Sequence, residues 1–287
     1  MKQKNFSALV KSAGWQLFTL VMFMGALVFI FPFLMLFLTS FKVEKDIFNP
    51  FVIPDFTYLV NYKLVFTSPT FFLSLMNTVL ICVFTMFFAI LFSSMAGYMI
   101  TRAKERIFKI TYFIFVLTLI IPGQSNMVML YKLGAWMHLI NTVPYLVLLY
   151  LSGNVAYSSM IYSAFTKTIP KALEEAAFID GCGRFTTFFR IVFPLLSPAT
   201  GTVIVTEIFW YWNDFQNPLL YLNGTTTTIM MEIYRFRAIV AAAMATASTQ
   251  WGPVSAICFV ATMPIVIFFI LTQKHLIKGL TIGAMKG

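Results

Sequence analysis

Long apolar runs free of charge alternate with short polar segments. The runs lie between Lys11 and Lys42, Lys63 and Arg102, Lys109 and Lys132, Lys132 and Lys167, and Arg237 and Lys274. Each can hold a membrane-spanning helix, which needs about 20 residues to cross roughly 30 Å of hydrocarbon. A further apolar segment over 195–220 is interrupted only by Glu207 and Asp214. The pattern predicts an all-α membrane protein with six transmembrane helices, near 15–38, 72–96, 108–130, 143–163, 195–219 and 253–271. The first run exceeds the h-region of a signal peptide, roughly 7 to 15 residues, and shows no clear small-residue cleavage site, so it is read as a span. Short ends remain at 1–14 and 273–287, and no soluble domain, long linker or repeat divides the bundle.

Composition agrees, with 60% apolar, 17% aromatic and 10% charged residues, against about 25% charged in soluble domains. Charge placement then orients the bundle. With the N-terminus inside, the inner segments hold Lys2, Lys4 and Lys11; Arg102, Lys104, Arg106 and Lys109; Lys167, Lys171, Arg184 and Arg190; and Lys274, Lys278 and Lys286. The outer segments keep Lys42, Lys45, Lys63, Lys132, Arg235 and Arg237. The positive-inside rule therefore puts both termini in the cytoplasm. Topology and the anionic inner leaflet account for the net charge of +10, so no nucleic-acid partner is invoked. Cys82, Cys182 and Cys258 suggest no disulfide framework, and these with two His show no metal-ligand spacing.

One polar stretch stands out between the fourth and fifth spans, on the cytoplasmic side: EEAAFIDGCGRFTTFFRIVFPLLSP, residues 174–198. Pro170 can start a helix, because the N–H it lacks is unsatisfied in a first turn anyway. Ala172, Leu173, Ala176 and Ala177 then share a face, and Gly181 and Gly183 can end the helix in a left-handed cap. Phe185, Phe188, Phe189, Val192 and Phe193 repeat at helical spacing in a second short helix, whose face would lie against lipid or the span ends. The result is a hairpin under the bundle with small alanines on one surface. By periodicity it is either a docking surface or a plain amphipathic connector.

The same residues carry a resemblance. Glu175, Ala176, Ala177, Asp180, Gly181, Ile191 and Pro194 match the EAA loop of ABC importer permeases, with Phe193 where the family usually has Leu. TSFKVEKDIFNPFVIPDFTYLVNYKLVF, AGYMITRAKER, INTVPYLVLLY, WNDFQNPLLYL and KGLTIGAMKG resemble carbohydrate-importer permeases of the maltose type, MalG-like subunits above all. The resemblance implies an importer-type permease bundle over 15–272, in a bacterial or archaeal cell (inner) membrane. It implies a coupling hairpin over 168–194, seated in a cytosolic ATPase through Glu175, Ala176, Ala177, Asp180, Gly181 and Arg184. Implied partners are a second permease subunit in a heterodimer, the ATP-binding subunit dimer, an extracytoplasmic solute-binding protein, a sugar and the lipid bilayer. ATP and Mg belong to the ATPase, and this chain is no enzyme and binds no cofactor itself. The sequence agrees in having no G-x-x-x-x-G-K-[ST] loop. The C-terminal tail would come close to the ATPases.

Solute handling is less defined. Glu207 and Asp214, seven apart in the fifth expected span, would share a helical face, and intramembrane acids face the interior or water. Glu207 is open to packing, path lining or a proton relay. Trp210, Tyr211, Trp212, Asn213 and Asp214 suit either an interfacial aromatic belt or a hydroxyl-rich ligand. Gln124, Ser125 and Asn126, beside Pro122 and Gly123, are expected to face the bundle interior. Residues 221–250 read as a connecting loop with a turn at Gly224. An ion-coupled secondary transporter using Glu207 and Asp214 is the competing function, glycerol phosphate a competing solute, and a purely structural membrane subunit the third class.

Overall fold

The computed structural model describes the backbone of residues 2–222, 224–243 and 251–284, and the side chains of 15–222, 224–240 and 251–273. All described regular structure is helical: α1 (Lys2–Ser40), α2 (Val60–Phe66), α3 (Phe71–Arg102), α4 (Arg106–Ile120), α5 (Met127–Trp136), α6 (Val143–Thr166), α7 (Ala172–Ile179), α8 (Arg184–Thr187), α9 (Phe193–Leu195), α10 (Ser197–Asn213), α11 (Gln216–Tyr221), α12 (Ile229–Ala243) and α13 (Trp251–Ala284). Short 3-10 turns occupy Glu44–Asp46 and Gly123–Asn126, and a π turn occupies Phe188–Val192.

Among the described residues, three helices are long and apolar enough to cross a membrane: 15–40, 71–102 and 251–273. Two bent pairs bring the number to as many as five. One joins α4 to α5 through a 96° break at Pro122 and Gly123; the other joins 184–195 to α10 through a 70° break. The fourth expected span coincides with α6, whose 24 residues reach about 36 Å. Its nine Ser, Asn and Tyr side chains lower its apolar content, and all but Ser152 and Tyr157 are buried or half-buried within the chain.

That burial follows from how α6 packs on α3. A Cβ on Gly97 would lie 2.6 Å from the Ser159 carbonyl oxygen and from the Tyr162 Cβ, so only glycine lets the two backbones meet here. Thr101 and Ser163 bond through their hydroxyls at 2.8 Å beside this contact. Small and hydroxyl-bearing residues are the usual glue between membrane helices, since lipid gives apolar side chains no reason to pair.

By contacts the chain forms two units, Met1–Ser68 with Arg235–Thr262, and Pro69–Tyr234 with Met263–Gly287. In the first, Asn61 donates to the Ser40 and Lys42 carbonyls at 2.9 and 3.0 Å and packs against Gly252. Phe37 meets Phe41, Phe56 and Phe259 there, and Lys42 is buried, donating to the Asn49 carbonyl at 2.7 Å. In the second, the start of α3 holds the segment before α12. Ser74 bonds the Thr227 hydroxyl, Asn77 donates to the Thr227 carbonyl at 2.9 Å, and Thr78 accepts from the Ile229 N–H at 2.9 Å. The expected loop over 221–250 thus contains a helix, α12; residues 244–250 lie outside the described set, as do the tail side chains from Lys274 onward.

Candidate functional site

Two places gather the chemistry, and the first is the elbow between α6 and α10. Helix α7 ends as the glycine pattern predicts. Gly181 has φ +81°, its N–H donates to the Phe178 carbonyl at 3.1 Å, and the Cys182 N–H reaches the Ala177 carbonyl at 2.9 Å. This pair of bonds satisfies the last carbonyls of the helix through a left-handed residue, a geometry that favours glycine. Gly183, by contrast, precedes α8 with ordinary φ −70°.

The buried side of α7 differs from the alanine face read from the sequence. Glu174 and Ala177, three apart, turn inward; Ala172, Leu173, Glu175, Ala176, Ile179 and Asp180 are exposed. Ala177 is 4% exposed, so it packs inside this chain and offers no docking surface. Glu174 carries the attachment. It accepts from Arg102 Nε at 2.7 Å and from the Tyr98 hydroxyl at 2.8 Å, and Arg102 Nη2 also donates to the Ile169 carbonyl at 2.7 Å. Arg184, exposed, lines with Glu175, Lys104, Lys171 and Phe178 an open cleft of about 370 Å³ over this knot.

The second arm splits the face that was expected against lipid or the span ends. Phe188 and Val192 are buried with Tyr98, Tyr162, Leu196 and Val203, while Phe185 and Phe189 are exposed. The π turn is the cause: it widens the helix over Phe188–Val192 and shifts which side chains align. Pro194 follows, with no N–H to continue a regular ladder.

The second place is an aromatic cleft of about 350 Å³ lined from Gly123 and Gln124, α5, α6, α10 and α11, including Tyr150, Asn154, Trp210, Tyr211, Asp214 and Asn217. Tyr150 and Tyr211 stack with centroids 5.1 Å apart. Asp214 accepts from the Tyr150 hydroxyl at 2.7 Å, the Gln216 N–H at 2.9 Å, the Asn217 N–H at 3.2 Å and Asn217 Nδ2 at 2.7 Å. Glu207 is buried, accepting from Ser158 and, at 2.5 Å, from the Tyr211 hydroxyl.

Glu207 and Asp214 thus both meet hydroxyls along α6, Glu207 through Ser158 and Asp214 through Tyr150, with the stacked Tyr150 and Tyr211 rings between them. Helix α10 ends at Asn213, and the ψ of 121° at Asp214 turns the chain after it out of the helix toward α11. Trp212 is buried and Trp210 is 74% exposed, which makes Trp210 the indole presented to the cleft. Asn213 is exposed and lines a neighbouring hollow with Trp210, Asp214 and Gln216. Gln124, Ser125 and Asn126 are all exposed within the chain, and of the three only Gln124 lines the cleft. Tyr150, Asn154 and Asn217 were not singled out from the sequence; Tyr211 was, and its four-residue spacing from Glu207 was the signal that could have paired the two.

Membrane-length helices, bent helix pairs beside an aromatic cleft and a helical elbow clipped to the end of α3 define a helical membrane protein. The chain belongs to the family described as binding-protein-dependent transport system inner membrane component, matched over residues 89–282. Members are transport subunits, not enzymes. Over 273 residues the chain is 34% identical to the probable starch degradation products transport system permease protein AmyC of Thermoanaerobacterium thermosulfurigenes, covering 93% of this chain and 96% of that one. It is 29% identical over 278 residues to the melibiose/raffinose/stachyose import permease protein MelC of Bacillus subtilis, covering 96% and 99%. Its fold matches a chain of a bacterial ABC transporter involved in the import of the acidic polysaccharide alginate, with TM-score 0.75 at 19% identity over 89% of this chain and 94% of that chain.

Proposed function

We propose that this chain is one transmembrane half of an ATP-driven carbohydrate importer. It works with a second permease subunit, a cytosolic ATP-binding dimer that holds ATP and Mg, and an extracytoplasmic solute-binding protein. The family and the saccharide named in its relatives support the reading. In it, α6 completes six crossings, both termini are cytoplasmic, and the tail over 273–287 lies near the ATPases.

The observation that carries the mechanism is the outward face of the elbow. Leu173, Ala176 and Ile179 stand exposed on α7 while Glu174 fixes the opposite face. Ile179 is 86% exposed, a cost to a free surface that a protein groove would remove. ATPase closure would then carry the elbow between two positions and switch the bundle between inward-open and outward-open states. In the cleft, Trp210 and the Tyr150–Tyr211 stack offer apolar ring faces, and Asn154, Gln124 and Asn217 offer amides, a set suited to neutral polyols.

The test is purification with the partner subunits and a measurement of which solutes, presented by the binding protein, stimulate ATP hydrolysis. A neutral oligosaccharide is expected. Stimulation only by glycerol phosphate changes the solute class. Uptake that survives ATP depletion and collapses with an ion gradient sinks the reading.

A further inference from the structure

The elbow's covalent links are its weak connections. Between α6 and α7 runs a short turn, and toward α10 the chain passes through the π turn and a 70° bend. Such irregular joints are where helices hinge. The non-covalent link to α3 is of the opposite kind. Tyr98 and Arg102, one turn apart near the end of a 32-residue helix, grip Glu174 of α7 and the Ile169 carbonyl before it. Tyr98 also packs its ring on Phe188, centroids 5.2 Å apart, so one residue of α3 touches both arms.

We propose that Tyr98, Arg102 and Glu174 are positioning residues that weld the elbow to α3, so that α3 carries the ATPase stroke into the bundle. The inference rests on the reading that the elbow docks the ATPase. The Arg102 and Glu174 side chains are 11% and 7% exposed. Two charges so desolvated add little stability over an apolar pair of similar volume, but they fix one geometry by direction and polarity. The same helix then passes the displacement on. Gly97, five residues before Arg102, presses α3 backbone to backbone on α6, and at the far end Ser74 and Asn77 hold the Thr227 turn. Elbow, α3 and the segment before α12 are thereby one chain of stiff contacts.

The experiment uses the complete transporter in vesicles. Glu174→Gln and Arg102→Lys are expected to lower solute moved per ATP about ten-fold, with the ATPase still copurifying and hydrolysing ATP. The exchange Arg102→Glu with Glu174→Arg should recover only part of that loss, because it restores the ion pair but not the bonds to the Tyr98 hydroxyl and the Ile169 carbonyl. An unchanged transport ratio in both single variants overturns the weld. A second arm stands even if those variants fold poorly. Cysteines replace Met99 and Phe178, which line the same cleft, in a chain whose three native cysteines are alanine, and a cleavable bifunctional thiol reagent ties them. Transport should persist when α3 and the elbow are tied. Transport lost on tying and restored on cleavage means the elbow slides on α3, and the proposal fails. A third arm separates the two readings: Ile179→Cys should crosslink to the ATPase, and its failure to do so would reject docking without touching the tied-helix result.

Discussion

Glu174 in the elbow and Asp214 beside the cleft are each held by several donors, yet the donors come from different places. Those of Glu174 lie 72 and 76 residues away on α3, and one is a charged guanidinium. Three of the four on Asp214 come from Gln216 and Asn217, two and three residues on, and all are neutral. The first carboxylate therefore joins two helices, while the second mainly shapes its own turn. The surroundings follow suit: the elbow turns apolar side chains outward, and the cleft exposes an indole and amides. On the proposed reading, one end is gripped by protein and the other meets a polar solute.

The sharpest way to break that contrast is Glu174→Ala. It leaves the half-buried Arg102 without its anion, a loss of about 3 kcal/mol, visible as a lower unfolding temperature of the detergent-solubilised chain. Asp214→Ala should cost about 1 kcal/mol, the scale of a helix cap, because its local donors lie nearer solvent. Equal costs for the two would mean that the carboxylates do the same job.

Much of this layout was legible and some was not, for physical reasons. Lys and Arg bounded the long helices, and Pro122 with Gly123 marked the break whose 96° bend only the structure gives. Gly181 and Pro194 bracketed the elbow, since φ +81° and a missing N–H are local demands. The inward turn of Glu174 was not legible: two adjacent glutamates differ only in phase, and the partners that choose between them lie on α3. Trp210 and Trp212 pose the same problem, two residues apart on a helix and so on different sides. The seven-residue spacing of Glu207 and Asp214 was legible, but their partners Ser158 and Tyr150 were not, because they lie on α6.

Next comes the proposed docking face. Ile179→Asp puts a charge on the most exposed apolar residue of α7, and it should weaken ATPase binding by about 2 kcal/mol, roughly thirty-fold. Copurification of the ATPase reads this directly, with the unfolding temperature unchanged because the side chain touches solvent. At the opposite site, Trp210→Ala should raise the solute concentration for half-maximal uptake about ten-fold, the loss of one stacking surface. ATPase copurification should not change. If Ile179→Asp shifted solute affinity, or Trp210→Ala released the ATPase, the division of labour between the two places would be wrong.

The smallest effect tests how local the cleft knot is. Tyr150→Phe removes the hydroxyl donated to Asp214 and keeps the ring stacked on Tyr211. Asp214 retains the Gln216 N–H and both donors of Asn217, so its turn should hold and the cost should be smaller than that of Asp214→Ala, which removes all four bonds. Tyr98→Phe is the matched change in the elbow: there the lost hydroxyl is one of two grips on Glu174, and the remaining one is the ion pair. Similar unfolding temperatures are expected for the two phenylalanine variants. Solute moved per ATP should fall in Tyr98→Phe alone, because only there does the hydroxyl connect separate helices.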